Sequence, residues 1–194
     1  MEFMSDKKIK LNKPLSELDK FVLKFIKIVE KYTDYVIISG YVSILLGRSR
    51  ATEDVDAFLK QINKETFVKL YHELKENGFW CLNAESDDEV YSYLEEGMAI
   101  RFAEEGITIP NFEMKFAKSN LNLEVFNDFI EVETEDGKLN ISSLERQIAF
   151  KRYYLGSDKD LEDAQHIEEV FKDRIDYEKV NKYKELIKRE HAKA

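Results

Sequence analysis

The chain has 194 residues, 43% of them hydrophobic, which is enough to bury one substantial core. Its formal charge is −9, from 39 acidic and 30 basic residues. Such a surface repels a polyanion at long range, so we do not expect a general nucleic-acid binder. A local basic strip would still suffice to hold a triphosphate or one RNA end.

The sequence also limits the compartment and the metal chemistry. The single cysteine, Cys81, excludes an intramolecular disulfide and a cysteine zinc cluster, as is typical of the reducing cytoplasm. Three scattered histidines argue against a transition-metal site. The apolar runs are too short to cross a bilayer, and no apolar stretch follows the charged first residues as a secretion signal requires. We therefore expect a cytoplasmic protein that does not enter a membrane.

The first part of the chain alternates between helical and strand patterns, each recognised from the spacing of its apolar residues. The predicted elements are a helix from Leu15 to Val29, a strand over Tyr35–Ile38, a helix over Tyr41–Leu46, a strand over Glu53–Leu59, a helix from Asn63 to Leu74 and a strand over Phe79–Leu82. The connection between the first two strands is barely long enough for a covered parallel crossover, so we expect a mixed sheet.

The second part of the chain continues the sheet and then becomes helical. The predicted elements are a helix over Asp87–Glu95, strands over Met98–Phe102 and Asn111–Phe116, and a hairpin of Phe129–Thr134 with Lys138–Ile141 around Asp136-Gly137. From Ser142 the pattern is helical, with breaks at Gly156-Ser157 and near 173–176. We therefore predict an α+β fold, with a mixed sheet and flanking helices over residues 1–141 and a helical segment over residues 142–194.

Two aspartates, Asp54 and Asp56, alternate with Val55 along one predicted strand. Residues two apart on a strand point to the same side, so the two carboxylates share a face and repel each other. A divalent cation would relieve this repulsion, and Mg²⁺ (or Mn²⁺) takes one or two carboxylates together with phosphate oxygens. The alternative is that the pair forms the solvent face of an antiparallel strand.

Three further features favour a phosphate site. Ser39 and Gly40 lie between a strand and a helix start, where backbone N–H groups can hold a phosphate. Arg48 and Arg50 precede the acid pair and can grip phosphates, although exposed surface arginines would have the same pattern. Glu113 lies on the outer face of a later strand, where it is either the third carboxylate of a two-metal site or a plain surface acid.

The stretch S-G-Y-V-S-I-L-L-G-R-S-R-A-T-E-D-V-D-A-F-L resembles the signature of the DNA polymerase β-like nucleotidyltransferase superfamily. Its G-R-x-R-x-T-x-D-V-D portion is similar to a prokaryotic branch of uncharacterised and toxin-related members, which includes abortive-infection toxins. The resemblance implies metal-dependent transfer of a nucleoside monophosphate from an NTP such as ATP to a hydroxyl. It also implies that Ser39 and Gly40 hold the triphosphate, and that Asp54, Asp56 and Glu113 bind the ions.

A second match lies in the helical half, where L-E-R-Q-I-A-F-K-R-Y-Y-L-G-S-D-K-D-L-E-D-A resembles the downstream helix pair of the same branch. The resemblance implies that Lys151 reaches the nucleotide phosphates and that Asp160 and Asp163 orient groups nearby. The alternative is structural: Ser157 caps a helix, and the negative charge of Asp160 interacts favourably with the positive N-terminal end of that helix.

Two departures from the family pattern bear on activity. The order Ser39-Gly40 differs from the usual Gly-Gly or Gly-Ser, and Glu113 stands where the family usually has aspartate.

Two main hypotheses for the function follow. The first is an active nucleotidyltransferase whose acceptor is tRNA or other RNA, a protein hydroxyl or a small molecule. The second is a catalytically degenerate binding or regulatory module, with an antitoxin or a second copy of the chain as its partner. A metal-dependent phosphoesterase is a weaker third hypothesis, because such sites usually recruit histidine beside aspartate.

Overall fold

The computed structural model describes residues 1–192. Its strands are β1 (Glu2–Ser5), β2 (Lys8–Lys10), β3 (Tyr35–Ile38), β4 (Asp54–Leu59), β5 (Phe79–Cys81), β6 (Ile100–Glu104), β7 (Asn111–Phe116), β8 (Phe129–Glu133) and β9 (Lys138–Ser142). Its helices are α1 (Glu17–Val29), α2 (Ser39–Leu45), α3 (Lys64–Glu76), α4 (Asp87–Glu96), α5 (Asn120–Leu123), α6 (Leu144–Phe150), α7 (Asp158–Val170) and α8 (Tyr177–His191). A 3₁₀ turn, Glu124–Phe126, follows α5, and a π-helical segment, Lys151–Leu155, continues α6.

Across residues 1–192 the nine strands form one sheet in the order β1-β2-β8-β9-β3-β4-β7-β6-β5. The pairs β2–β8, β9–β3 and β4–β7 are parallel. The other neighbouring strands are antiparallel. The predicted α+β fold with a mixed sheet is therefore confirmed, and β3 and β4 are antiparallel, as the short connection through α2 requires.

Helix α1 packs its apolar stripe on one face of the sheet. Ser16 and Asp19 form a capping box that satisfies the first N–H groups of the helix and fixes where it begins. The Phe25 ring stacks on Phe112 of β7 with ring centroids 4.3 Å apart and meets the edge of Phe79 at 5.0 Å. These aromatic contacts anchor the main core between α1 and the centre of the sheet.

Alternate residues of β4 and β7 face opposite sides of the sheet. The residues that join the main core are Val55, Ala57, Leu59, Phe112, Met114 and Phe116. The residues between them lie on the other face, where Phe58 joins a small second cluster with Val36 and Val125. Helix α6 packs against α7 and α8, and α7 contacts α2, so the C-terminal helices lie over this second face.

The structure adds elements that the sequence pattern did not predict. The N-terminal hairpin β1–β2 is one of them, and α5 with its 3₁₀ turn is another. The hairpin buries Ile9 completely and packs Phe3 edge-on against Phe171, so tertiary contacts rather than local alternation stabilise it. The strand predicted from Met98 begins instead at Ile100, because Gly97 ends α4 in the left-handed conformation and the Met98 N–H still bonds to Tyr93.

The predicted breaks in the helical part agree with the structure. Gly156 adopts φ +72° at the end of the π-helical segment, and Ser157 and Asp160 form the capping box of α7. Asp176 caps α8 by accepting from the backbone of Glu178 and Lys179. Of the helices within residues 1–192, none combines the length and the apolar character needed to cross a membrane.

Candidate active site

The three predicted acids lie on one face of two neighbouring strands. Asp54 and Asp56 of β4 stand on the second face, and Glu113 of β7 lies in register beside Asp56. All three side chains are partly buried. The sheet therefore gathers the three carboxylates by its period of two and by the parallel pairing of β4 with β7.

Asp56 is the carboxylate most strongly affected by this arrangement. The pKa of Asp56 is raised to about 6, first by burial and then by the negative charges of Asp54 and Glu113. A hydrogen bond from the Ser39 side chain and the charge of Lys115 lower it in part. The site therefore favours a positive charge near Asp56, which is the condition that suits a divalent cation.

Ser39 begins α2 in a strained conformation. It has φ +63° and is the only non-glycine residue with positive φ among residues 1–192. For a serine this left-handed conformation costs about 1–2 kcal/mol. Strain of this kind is kept where the backbone must present its groups in a particular direction, and here it places the Ser39 hydroxyl against Asp56.

Gly40 lies in close contact with the Arg50 guanidinium. A Cβ at this position would overlap the Arg50 guanidinium, whose central carbon would lie 3.2 Å away. Arg50 therefore lies directly on the Ser39-Gly40 turn. Any larger residue at position 40 would displace it.

Arg50 and Lys151 converge on a buried carboxylate. Asp163 is fully buried and accepts two hydrogen bonds from Arg50, at 3.1 and 3.0 Å, and one from Lys151, at 2.8 Å. Lys151 is only 1% exposed and also contacts Asp160 at 3.3 Å. This Asp163 network ties the loop between α2 and β4 to the π-helical segment and α7, which lie about a hundred residues later in the sequence.

The charge of Asp163 is maintained by its partners. Burial raises the pKa of Asp163, but the hydrogen bonds from Lys151 and Arg50 outweigh it and hold the pKa below its usual value. Arg48 lies beside this group, with its guanidinium bonded to Glu162 and 3.6 Å from Asp163. The structure thus pairs both predicted phosphate-gripping arginines with carboxylates of α7.

Asp160 caps α7 and also contacts Lys151. Its carboxylate accepts from the Ser157 hydroxyl and backbone N–H in the capping box of α7, and it also contacts Lys151. The structural interpretation of Asp160 is therefore correct, and the same carboxylate helps to fix the lysine.

The donor set fits Mg²⁺ at two of the three acids. Asp54 and Asp56 supply carboxylate oxygens on one face, whereas the Glu113 carboxylate accepts from the Arg101 guanidinium at 2.6 Å. In the part of the chain that the structure describes, no group of three or more His, Cys, Asp or Glu side chains is arranged to hold a metal ion. A pair of aspartates with phosphate oxygens is a donor set that Mg²⁺ accepts, and Glu113 is not part of it in this conformation.

A cavity of about 390 Å³ opens in front of Asp56. It lies between the second face of the sheet and the C-terminal helices. Its wall includes three predicted site residues, namely Ser39, Asp56 and Lys151. Gly40, Asp54 and Glu113 are neighbours of these wall residues along the chain or across the sheet. Asp160 and Asp163 contact Lys151, and Arg48 and Arg50 contact Asp163.

Several lining residues were not predicted as part of the site. They are Phe58, Lys115, Ser119, Leu121, Asn122, Arg146, Phe150 and Tyr154. The alternation of β7 placed Lys115 on the correct face, because it lies two residues after Glu113. Phe58 lies on β4, two residues after Asp56 and on the same face. The others come from α5 with its N-cap Ser119, from α6 and from the π-helical segment, whose approach to the sheet no local pattern indicates.

Replacing Gly40 with alanine is expected to destabilise the protein by about 1–3 kcal/mol, because the added methyl group must displace Arg50 from Asp163. Chemical denaturation of the single and double variants measures this. In the double variant Gly40→Ala/Arg50→Ala the glycine substitution should cost much less than in the single one. Equal costs in both backgrounds would show that the overlap with Arg50 is not the cause.

The sequence matches no family model and no curated protein. Its fold, however, is similar to those of solved nucleotidyltransferases. An antigenic nucleotidyltransferase-like protein from Paracoccidioides brasiliensis aligns with a TM-score of 0.51 and 19% identity, over 81% of this chain and 79% of that one. The antibiotic-resistance factor ANT(2'')-Ia aligns with a TM-score of 0.54 and 14% identity, over 91% of this chain and 95% of that one.

The lincomycin-bound lincosamide antibiotic adenylyltransferase LnuA aligns with a TM-score of 0.53 and 16% identity, over 81% of this chain and 99% of that one. The three alignments cover 81–91% of this chain. The protein therefore has the α+β fold of the nucleotidyltransferases.

Proposed function

We propose that the protein is a metal-dependent nucleotidyltransferase, which moves a nucleoside monophosphate from an NTP to a hydroxyl acceptor. The observation that carries the proposal is that one cavity brings together Ser39, Asp56 and Lys151 from three separate elements. Asp54 and Asp56 would hold Mg²⁺ or Mn²⁺, which supplies positive charge against the triphosphate. The similar folds of solved nucleotidyltransferases support the class of reaction.

The transfer needs an attacking oxygen, a leaving group and a place for one proton. The acceptor hydroxyl oxygen forms a bond to the α-phosphorus, and the bond from that phosphorus to the bridging oxygen of the β-phosphate breaks, releasing pyrophosphate. The Ser39 turn and Lys151 would hold the phosphates. Once the Glu113 carboxylate is released from Arg101, it would accept the proton of the hydroxyl, directly or through a water.

The thermal unfolding temperature measures whether nucleotide binds at this site. Wild type should gain several degrees with Mg²⁺ and an NTP together, because a ligand at about 100 times its dissociation constant adds roughly 2.7 kcal/mol. The Asp56→Asn variant should not respond. If wild type responds to none of the four NTPs with Mg²⁺ or Mn²⁺, the proposed activity is wrong.

One observation favours the second candidate, a binding or regulatory module without turnover. The Glu113 carboxylate is bonded to Arg101 on the neighbouring strand β6 rather than directed at the aspartates. In such a module nucleotide and metal would still bind, and a second protein or a second copy of the chain would be the partner. Nucleotide binding without transfer to any hydroxyl would support this candidate.

Arg101 provides a direct test of Glu113. The Arg101→Gln variant is expected to bind Mg²⁺ on the order of tenfold more tightly, because it frees the Glu113 carboxylate for the ion. The half-saturating Mg²⁺ concentration in the nucleotide-dependent thermal shift measures this, and Arg101→Lys, which keeps a cation, is the control. If Arg101→Gln and Glu113→Gln both leave that concentration unchanged, Glu113 is a surface acid.

A further inference from the structure

Two cations of the cavity wall, Lys115 and Arg146, form no ion pair with an acid among the described residues. Lys115 and Arg146 both line the cavity, and neither has an acidic oxygen within 4 Å anywhere in the described chain. By contrast, Lys151, the third cation of the wall, is paired with Asp160 and Asp163. Of the three cations of the cavity wall, one is therefore ion-paired within the described chain and two are not.

Arg146 is buried with part of its guanidinium unsatisfied. The side chain is 2% exposed, and its Nη2 donates to the Leu121 carbonyl at 2.9 Å. Its Nη1 has no hydrogen-bond partner in residues 1–192. The guanidinium lies 4.3 Å from the centre of the Phe150 ring, which holds it in place without neutralising its charge. The Nη1 atom is itself buried, so Arg146 acts on the cavity through its positive charge rather than through a free N–H group.

Lys115 lies on the same face as Asp56 but farther along the sheet. It is in register with Phe58, and its ammonium stands 5.3 Å from the centre of that ring. From the strand rise and spacing, its Cα lies about 8 Å from that of Asp56. If an acceptor places its hydroxyl near Asp56, a second group that is a few bonds from that hydroxyl would therefore lie near Lys115.

The inner wall combines these cations with apolar and neutral polar groups. The residues are Phe58, Ser119, Leu121, Asn122 and Phe150. Two acids line the cavity, and they are Asp56, the proposed metal ligand, and Glu190, on the last turn of α8. A cationic acceptor would meet Lys115 and Arg146 with unfavourable charge, whereas an anionic acceptor would be attracted by both.

We propose that the inner half of the cavity, between Lys115 and Arg146, selects a small hydroxyl acceptor that carries a negatively charged group, a phosphate or a carboxylate. The inference rests on the proposed nucleotidyl transfer and names the chemical class of the acceptor. It assigns Lys115 as a specificity-determining residue. Under the proposed function the nucleotide phosphates would lie beside the Ser39 turn rather than between Lys115 and Arg146.

The test uses four matched three-carbon probes, which are glycerol 3-phosphate, glycerate, neutral glycerol and the cation 3-amino-1,2-propanediol. Each is titrated calorimetrically into the full chain, with Mg²⁺ and a nonhydrolysable NTP analogue and also without them. We expect at least one anionic probe to bind tenfold or more tightly than glycerol, and the phosphate and carboxylate arms identify which group is preferred. The cationic probe should bind more weakly than glycerol.

Three variants decide whether Lys115 is responsible. Lys115→Met should lose the preference for the anionic probe, and Lys115→Arg should retain it. Lys118→Met is the control, since Lys118 is exposed and bonds to the Glu95 carbonyl outside the cavity. Binding of the nucleotide analogue should be unchanged in all three.

Three results would overturn the inference. They are equal binding of charged and neutral probes, no binding of either anionic probe at millimolar concentration, and an unchanged anion preference in Lys115→Met. A Lys115→Met variant that loses nucleotide affinity instead would assign the cation to the triphosphate and also contradict the proposal. The nucleotide titration without probe reports separately on the proposed function, so failure of one is distinguishable from failure of the other.

Discussion

The Asp163→Ala variant is expected to lose about 3–5 kcal/mol of stability, because it leaves a buried cation without its main partner. Lys151 is 1% exposed and donates to Asp163 at 2.8 Å, so it cannot turn to solvent when the carboxylate is removed. Arg50 loses both of its hydrogen bonds to the same carboxylate. Urea denaturation at pH 7 measures the loss.

The control for this variant is an ion pair that is less buried. Arg152 and Glu168 form a two-point contact, but their side chains are 32% and 21% exposed, so Glu168→Ala should cost no more than about 1 kcal/mol. Because the pKa of Asp163 is lowered in the fold, its contribution is present at pH 7 and is lost only as the pH falls below about 4. If Asp163→Ala costs no more than Glu168→Ala, the network does not stabilise the fold.

The Asp56→Asn variant is expected to be more stable than wild type at pH 7 without metal, and to have lost the proposed activity. Burial and the neighbouring acids raise the pKa of Asp56 from 3.8 to about 6 in the folded chain. The folded state then binds the proton more tightly than the unfolded state, so stability falls as the pH rises from about 4 through 6. Asparagine cannot ionise, and it removes a penalty of about 1–3 kcal/mol at pH 7.

The pH dependence separates this explanation from a simple packing effect. In EDTA, the stability of wild type and Asp56→Asn should converge near pH 4 and differ most above pH 6. Saturating Mg²⁺ with an NTP should then stabilise wild type only. Asp34→Asn is the control, because the Asp34 side chain is 70% exposed and its replacement should change little. A variant that is less stable than wild type at every pH would contradict the prediction.

The face that carries the acids could be predicted because it depends only on local alternation. Asp54 and Asp56 share a side by the period of a strand, and Glu113 joins them because β4 and β7 are in register. The sequence therefore indicated which carboxylates come together. It did not show that Glu113 pairs with Arg101, because that contact depends on which strand flanks β7 on its other side.

The roles of the arginines could not be predicted in the same way. Arg50 precedes the acid pair in sequence, which favoured a phosphate contact, but its carboxylate partner Asp163 is 113 residues away. Such a pair is fixed by how α7 packs on α2 rather than by any pattern near either residue. Arg146 illustrates the same limit, because a charged residue in a helical pattern is ordinarily exposed and this one is buried.

The N-terminal hairpin was missed for a related reason. Its strands are short and charged, and Ile9 is the only fully buried residue among those of β1 and β2. Lys8 lies between Glu131 and Glu133 of β8, at 3.0 Å from each. Pairing with β8 therefore defines the hairpin, and no single segment of the sequence contains that information.

The sheet order has a consequence for how the chain folds as it leaves the ribosome. β2 is paired with β8, and β3 is paired with β9. One edge of each early strand therefore stays unpaired until a strand more than a hundred residues later has been synthesised. A nascent chain that stops before Phe129 exposes the unpaired edges of both strands, which are the groups that chaperones protect. The β8–β9 hairpin then joins the earliest strands to the centre of the sheet. Pairings over such distances are slow, so we expect the sheet to be completed only after this hairpin has emerged.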